Sequence, residues 1–151
     1  MTALPDLRPC SPDDLAACIA LFESNVPDDF GARERTDCLA GIDEEGTRYF
    51  VLEDAGGALL DCGGYAAHPR AGTAGLVWGM IRRDLHGPGP GTRLLAARSA
   101  RIRAQGRFNC VLVETTPMSQ GFFARFGFAV ERVEADGFGG GYDLVEMELS
   151  L

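Results

Sequence analysis

Residues 76–92 read Leu-Val-Trp-Gly-Met-Ile-Arg-Arg-Asp-Leu-His-Gly-Pro-Gly-Pro-Gly-Thr. An apolar run gives way to two arginines, a histidine and alternating glycines, and a helix-forming segment follows. Such a turn aims backbone N–H groups at the positive end of a helix, where a phosphate or pyrophosphate is held. Glycine there allows close backbone approach and torsions closed to other residues. The chemistry on offer is anion binding, and two rival schemes fail at once. A Walker loop needs Gly-Lys-Ser/Thr, whereas Gly91-Thr92 has no lysine. A dinucleotide fingerprint needs G-x-G-x-x-G, and the third glycine position after Gly87 and Gly89 is Thr92. Glu114, at the end of the next strand, mimics the ribose-binding acid of that scheme. Only 37 residues (151 − 114) follow it, too few to complete a doubly wound domain.

Other reactive groups are sparse. All fourteen basic residues are arginine, which removes lysine Schiff-base chemistry. The five cysteines (Cys10, Cys18, Cys38, Cys62, Cys110) form no CxxC pair, and only His68 and His86 accompany them. This scatter reads as reduced thiols rather than a disulfide framework, and no Cys/His cluster has metal-ligand spacing, so no metal is expected. His68, after the third strand and before Pro69, reads as a solvated loop residue.

These groups must be carried by a definite set of elements. Leu4–Arg8 suggests a short first strand. Ser11-Pro12 with Asp13 and Asp14 starts a helix, and Leu15, Ile19, Phe22 and Val26 continue it at helical spacing. A second helix is expected over about 31–40. Arg48–Asp54 and Leu59–Ala67 flank the turn Asp54-Ala55-Gly56-Gly57 as a hairpin. Thr73–Ile81 is a further strand in which Gly79 marks a bulge. A helix from about Thr92 to Gln105 stops at Gly106, and Phe108–Glu114 is the next strand. Ser119 is expected to cap a short helix reaching Phe126. Two last strands, about 128–134 and 142–149, enclose the glycine-rich loop 136–141. The order of strand, two helices, three strands, helix, strand, helix and two strands implies an α/β fold with a mixed sheet.

The bulk numbers agree with one globular domain over residues 1–151. Hydrophobic residues are 46 % and charged residues 24 % of the chain. No apolar run suits a membrane span and no signal-like N-terminus precedes the first strand, so a cytoplasmic location is expected. The net charge is −8, yet seven of the fourteen arginines fall within residues 82–107, where the only acid is Asp84. Fourteen of the 22 acids lie in residues 1–61. An acidic chain with one basic segment suits a small anion rather than nucleic acid.

At this point the segment resembles the GNAT superfamily of N-acetyltransferases. Their fourth strand runs into a loop Arg/Gln-x-x-Gly-x-Gly/Ala at the start of the third helix, matched here by His86-Gly87-Pro88-Gly89-Pro90-Gly91. A second block, a short helix like Phe-Tyr-x-x-x-Gly-Phe after the fifth strand, is matched by Phe122-Phe123-Ala124-Arg125-Phe126-Gly127-Phe128. The detailed likeness covers roughly residues 73–130. It implies a mostly antiparallel central sheet of about six to seven strands, flanked by four helices and splayed between strands four and five. It also implies acetyl-coenzyme A as co-substrate and an amine, small molecule or peptide, as acceptor. The pantetheine arm would pair with backbone around Met80, Ile81 and Arg82, and the pyrophosphate would sit on residues 87–92. Ser119, Phe122, Phe123 and Phe126 would border the adenine, pantetheine or thioester end. The amine would attack the thioester directly.

Three departures from the family pattern stand out. His86 lacks a permanent charge, and Pro88 and Pro90 lack N–H donors. The family's frequent general acid, a tyrosine, is Phe123. The fourth strand carries no carboxylate, which leaves Glu114 as the candidate base. Asp28, Asp29, Glu34 and Asp37 lie where similar proteins shape the acceptor site. The competing reading is a non-catalytic domain that binds or senses acyl-coenzyme A. The acceptor, acyl length and oligomeric state stay open, a homodimer included.

Overall fold

In the computed structural model, which describes residues 7–26, 31–81 and 90–151, strand alternation decides the layering. Along β2 (Arg48–Glu53), Tyr49 and Val51 join one core cluster while Phe50 and Leu52 join another, as opposite faces of a strand require. The first cluster is completed by Cys18, Ile19, Leu21 and Phe22 of α1 (Leu15–Ser24) and by Cys38 and Ile42 of α2 (Arg35–Ile42). The second takes Leu94, Leu95 and Ile102 from α3 (Pro90–Ala104) and rings from α4 (Pro117–Arg125). Two helices therefore cover each face of one sheet.

Seven strands form that sheet in the order β1-β2-β3-β4-β5-β7-β6. They are β1 (Arg8–Pro9), β2, β3 (Leu59–Ala67), β4 (Thr73–Ile81), β5 (Cys110–Thr115), β6 (Ala129–Gly139) and β7 (Tyr142–Ser150). Every neighbouring pair is antiparallel except β4 and β5. That parallel step needs the crossover through α3. The mixed α/β fold with four helices agrees with expectation.

Local chemistry adjusts several boundaries. A single turn of 3-10 helix, Pro12–Asp14, leads into α1. Asp14 accepts bonds from the Ser11 amide at 2.8 Å and from Arg8 at 2.8 Å. These bonds hold the Asp14 carboxyl well below the usual carboxylate range, the Arg8 bond being the largest cause. Ser119 does not cap α4. Thr116 takes the extended N-cap position and Pro117 the first helical one, while the Ser119 amide donates to the Thr116 carbonyl at 3.0 Å. Proline at that position fixes the start three residues earlier than the serine suggested. The loop expected at 136–141 is mostly strand. β6 runs on to Gly139 through a register shift, with Asp136 at φ 55° and its amide bonded to Asp143 at 2.8 Å.

Candidate active site

β4 and β5 pair through only three residue couples, Thr73–Cys110, Ala74–Val111 and Gly75–Leu112, and beyond them the strands separate. A bulge in β4 accompanies the parting. Its register with β3 passes from Gly64–Val77 to Cys62–Met80, so Trp78 and Gly79 together oppose Gly63. Gly79 thus marks a bulge, as expected from sequence. The strained residue, however, is Trp78, at φ 36°. The Tyr49 hydroxyl secures it, donating to the Trp78 carbonyl at 2.6 Å. Burial pushes the Tyr49 pKa well up, so the hydroxyl remains a donor. The indole meets Phe22 edge-on at 6.3 Å, and Gly41 lies so close that a Cβ there would stand 2.6 Å from the ring.

A cleft of about 1040 Å³ opens from this gap. One wall is β4 from Leu76 to Met80, and the opposite wall is the end of β5, Val113–Thr115. Gly91 and Thr92, in the first turn of α3, line it from below. Ser119, Phe122, Phe123 and Phe126 of α4 line it from the β5 side. Glu34, Glu44 and Phe138 also line it, together with Trp78. Glu114 is exposed at the β5 rim.

The structure brings together most of the residues expected to act. Met80, Gly91, Thr92, Glu114, Ser119, Phe122, Phe123 and Phe126 share the one cleft. Met80 also packs into the core on the α1–α2 side, only 2 % exposed. Ile81 ends β4 opposite Asp61. Pro90 is the first residue of α3, where a missing N–H costs nothing. Arg82, His86, Gly87, Pro88 and Gly89 lie outside the described residues, as do Asp28 and Asp29. Phe123 meets Phe122 at 5.2 Å and Phe128 at 5.4 Å, both edge-on, so its ring packs on core while facing the cleft. His68 lies elsewhere, in a depression of about 460 Å³, and its Nδ1 accepts the Arg70 amide at 3.0 Å. Among the described residues no group of three or more His, Cys, Asp or Glu is arranged to hold a metal.

The arginines of α3 divide by the face of the helix they occupy. Arg101 turns away to the Leu7 carbonyl at 3.0 Å and lies 4.8 Å over the Phe50 ring. Arg98 instead is 3 % exposed and lines the cleft. Its spacing was a readable signal, because it falls four residues after Leu94 and four before Ile102, on the apolar stripe of the helix.

The chain matches the family model described as the acetyltransferase (GNAT) domain over residues 26–151. No functionally curated protein matches the sequence. Among solved structures, a Desulfovibrio desulfuricans protein assigned to the GNAT family of acetyltransferases superposes with a TM-score of 0.81 at 22 % identity, over 96 % of this chain and 98 % of that one. The Escherichia coli ribosomal-protein-S18-alanine N-acetyltransferase gives 0.75 at 15 % identity, over 96 % of this chain and 92 % of its own. An aminoglycoside 6'-N-acetyltransferase complexed with coenzyme A gives 0.77 at 11 % identity, over 96 % of both chains. At such identities the likeness speaks for the fold.

Proposed function

The chain belongs to the GNAT acetyltransferase family, and from that premise we propose that it is an N-acetyltransferase that moves the acetyl group of acetyl-coenzyme A to an amine. One observation carries the reading: β4 and β5, paired through three couples, part onto a cleft of about 1040 Å³ at the N-terminus of α3. Parting leaves backbone groups of β4 without a β5 partner, ready to pair with an amide-bearing arm. The first-turn amides of α3 at Gly91 and Thr92 suit the pyrophosphate end. Cleft and amides therefore fit this co-substrate.

The thioester supplies the acetyl group: its C–S bond breaks as the N–C bond to the amine forms, leaving a thiolate and, after loss of one proton, an amide. Glu114 is assigned that proton, directly or through water, since it is the carboxylate at the β5 rim. Phe122, Phe123 and Phe126 give the same cleft an apolar lining. The similar structures named for aminoglycoside and ribosomal-protein substrates act on amines, which supports an amine acceptor here. Glu34 and Glu44 on the cleft lining favour a cationic one. The reading includes a cytoplasmic location, in keeping with five cysteines that remain thiols.

A second reading, a domain that holds acyl-coenzyme A without turnover, draws on Phe123 standing where similar proteins have a tyrosine. Thiol release from acetyl-coenzyme A across a panel of amines separates the two. Amine-dependent release supports transfer. Tight binding with no release from any amine supports the sensor.

A further inference from the structure

Arg98 is expensive where it lies. A buried guanidinium costs several kcal/mol unless it is well compensated, and leucine or methionine would fill the same stripe of α3 more cheaply. Two glycines make room for it. A Cβ on Gly79 would stand 2.7 Å from its Nη2, and one on Gly63 3.1 Å from its Cζ. Nη1 donates to the Gly64 carbonyl at 3.2 Å, while Nε has no hydrogen-bond partner among the described residues. Among the described residues, the titratable groups that act on Arg98 are Tyr49 of β2 and Asp61 and Cys62 of β3. Burial holds Tyr49 and Cys62 in their protonated forms, so Asp61 is the one among them that brings a negative charge, in full above about pH 7. Asp61 also faces Arg93, and its two carboxylate oxygens accept no hydrogen bond among the described residues. Among the described residues the slot therefore carries a cation that is only partly compensated, beside the β4 bulge and on the cleft wall.

This placement answers a chemical gap. As the amine attacks, the C–S electron pair moves to sulfur, and Phe123 has no proton to offer it. We propose that the buried charge of Arg98 stabilises the coenzyme A sulfur as an anion, doing by electrostatics what a tyrosine would do by proton donation. The inference rests on the acetyltransferase reading of the same cleft. Arg98 keeps its own protons throughout; burial lowers its pKa to about 10, which leaves it charged at neutral pH. The thiolate leaves as such or takes a proton from water. A preorganised charge that is itself buried acts more strongly than one in solvent.

The test reads the thiol of coenzyme A itself, without turnover. Bound coenzyme A is titrated by the ultraviolet absorbance of its thiolate on wild type, Arg98→Gln, Arg98→Lys and Asp61→Asn. The free thiol resembles a cysteine, with a pKa of ~8.5. On wild type it should titrate about one unit lower, a roughly tenfold gain in thiolate at neutral pH. Arg98→Gln should return it to the free value, and Arg98→Lys should retain most of the shift. Asp61→Asn removes the opposing charge and should lower it further, which keeps the idea testable if the glutamine variant does not fold. A wild-type thiol that titrates as free coenzyme A, or a value unmoved or raised in Asp61→Asn, overturns the proposal while leaving the acetyltransferase reading intact. Failure of wild type to bind coenzyme A at all, seen by calorimetry, overturns both.

Discussion

Asp61→Asn should make this protein more stable at neutral pH. The side chain has no exposed surface, and burial lifts its pKa from 3.8 to about 7 against the opposing pull of Arg98 and Arg93. An acid with a raised folded-state pKa holds its proton better when folded than when unfolded, so its ionisation weakens the fold. The penalty is absent below about pH 4, grows as pH rises between the two values, and levels off above about pH 7. A rise of about three on the pH scale, at ~1.4 kcal/mol each, amounts to ~4 kcal/mol at pH 8. The asparagine amide has unmet hydrogen bonds of its own, costing about 1–2 kcal/mol. The net gain is then roughly 2–3 kcal/mol, or about 4–12 °C in Tm for a chain of this size. Thermal and urea unfolding of both forms between pH 5 and pH 8.5 measure it. The gain should be near zero at pH 5 and largest at pH 8. A variant less stable than wild type at pH 8, or a gain equal at both pH values, refutes the reasoning.

Glu114→Gln should lower the acetylation rate by about 10²-fold and remove the acidic limb of the pH–rate profile, and an unaltered profile would return Glu114 to an exposed strand-end acid. Phe123→Tyr should fold and bind acetyl-coenzyme A as wild type does, without a lower rate; loss of most activity in a folded variant would place the ring in packed core only. Asp14→Asn should lower Tm by about 2–4 °C at neutral pH. Because the folded-state pKa of Asp14 is depressed, that deficit should be full above about pH 4 and shrink below it, as paired melts would record.

The hairpin β2–β3 and strand β4 were legible because alternating apolar residues and Gly-rich turns act locally. The start of α3 was legible for the same reason: glycines and prolines ahead of it are a short-range pattern. The cap of α4 was misread because two adjacent signals, Thr116-Pro117 and Ser119, competed, and proline's fixed φ prevailed. The length of β6 was hidden because Asp136 takes a left-handed turn inside a strand, held by its bonds to Asp143 and Gly141. Part of the cleft lining was out of reach, since Glu44, Trp78 and Phe138 come to one cleft only after the sheet assembles. Arg98 was overlooked for a subtler reason. Within a segment rich in arginine it reads as one more solvated cation, and its burial depends on glycines on two other strands.

Whether the cleft catalyses acetyl transfer is settled most directly by product analysis in a single turnover. Enzyme in excess over acetyl-coenzyme A is mixed with a pooled set of primary amines, and the quenched mixture is resolved by mass spectrometry. The account predicts an N-acetylated amine and free coenzyme A in equal amounts, neither formed when the amine is omitted. Intact acetyl-coenzyme A bound to the protein, with no acetylated amine from any member of the pool, would contradict it.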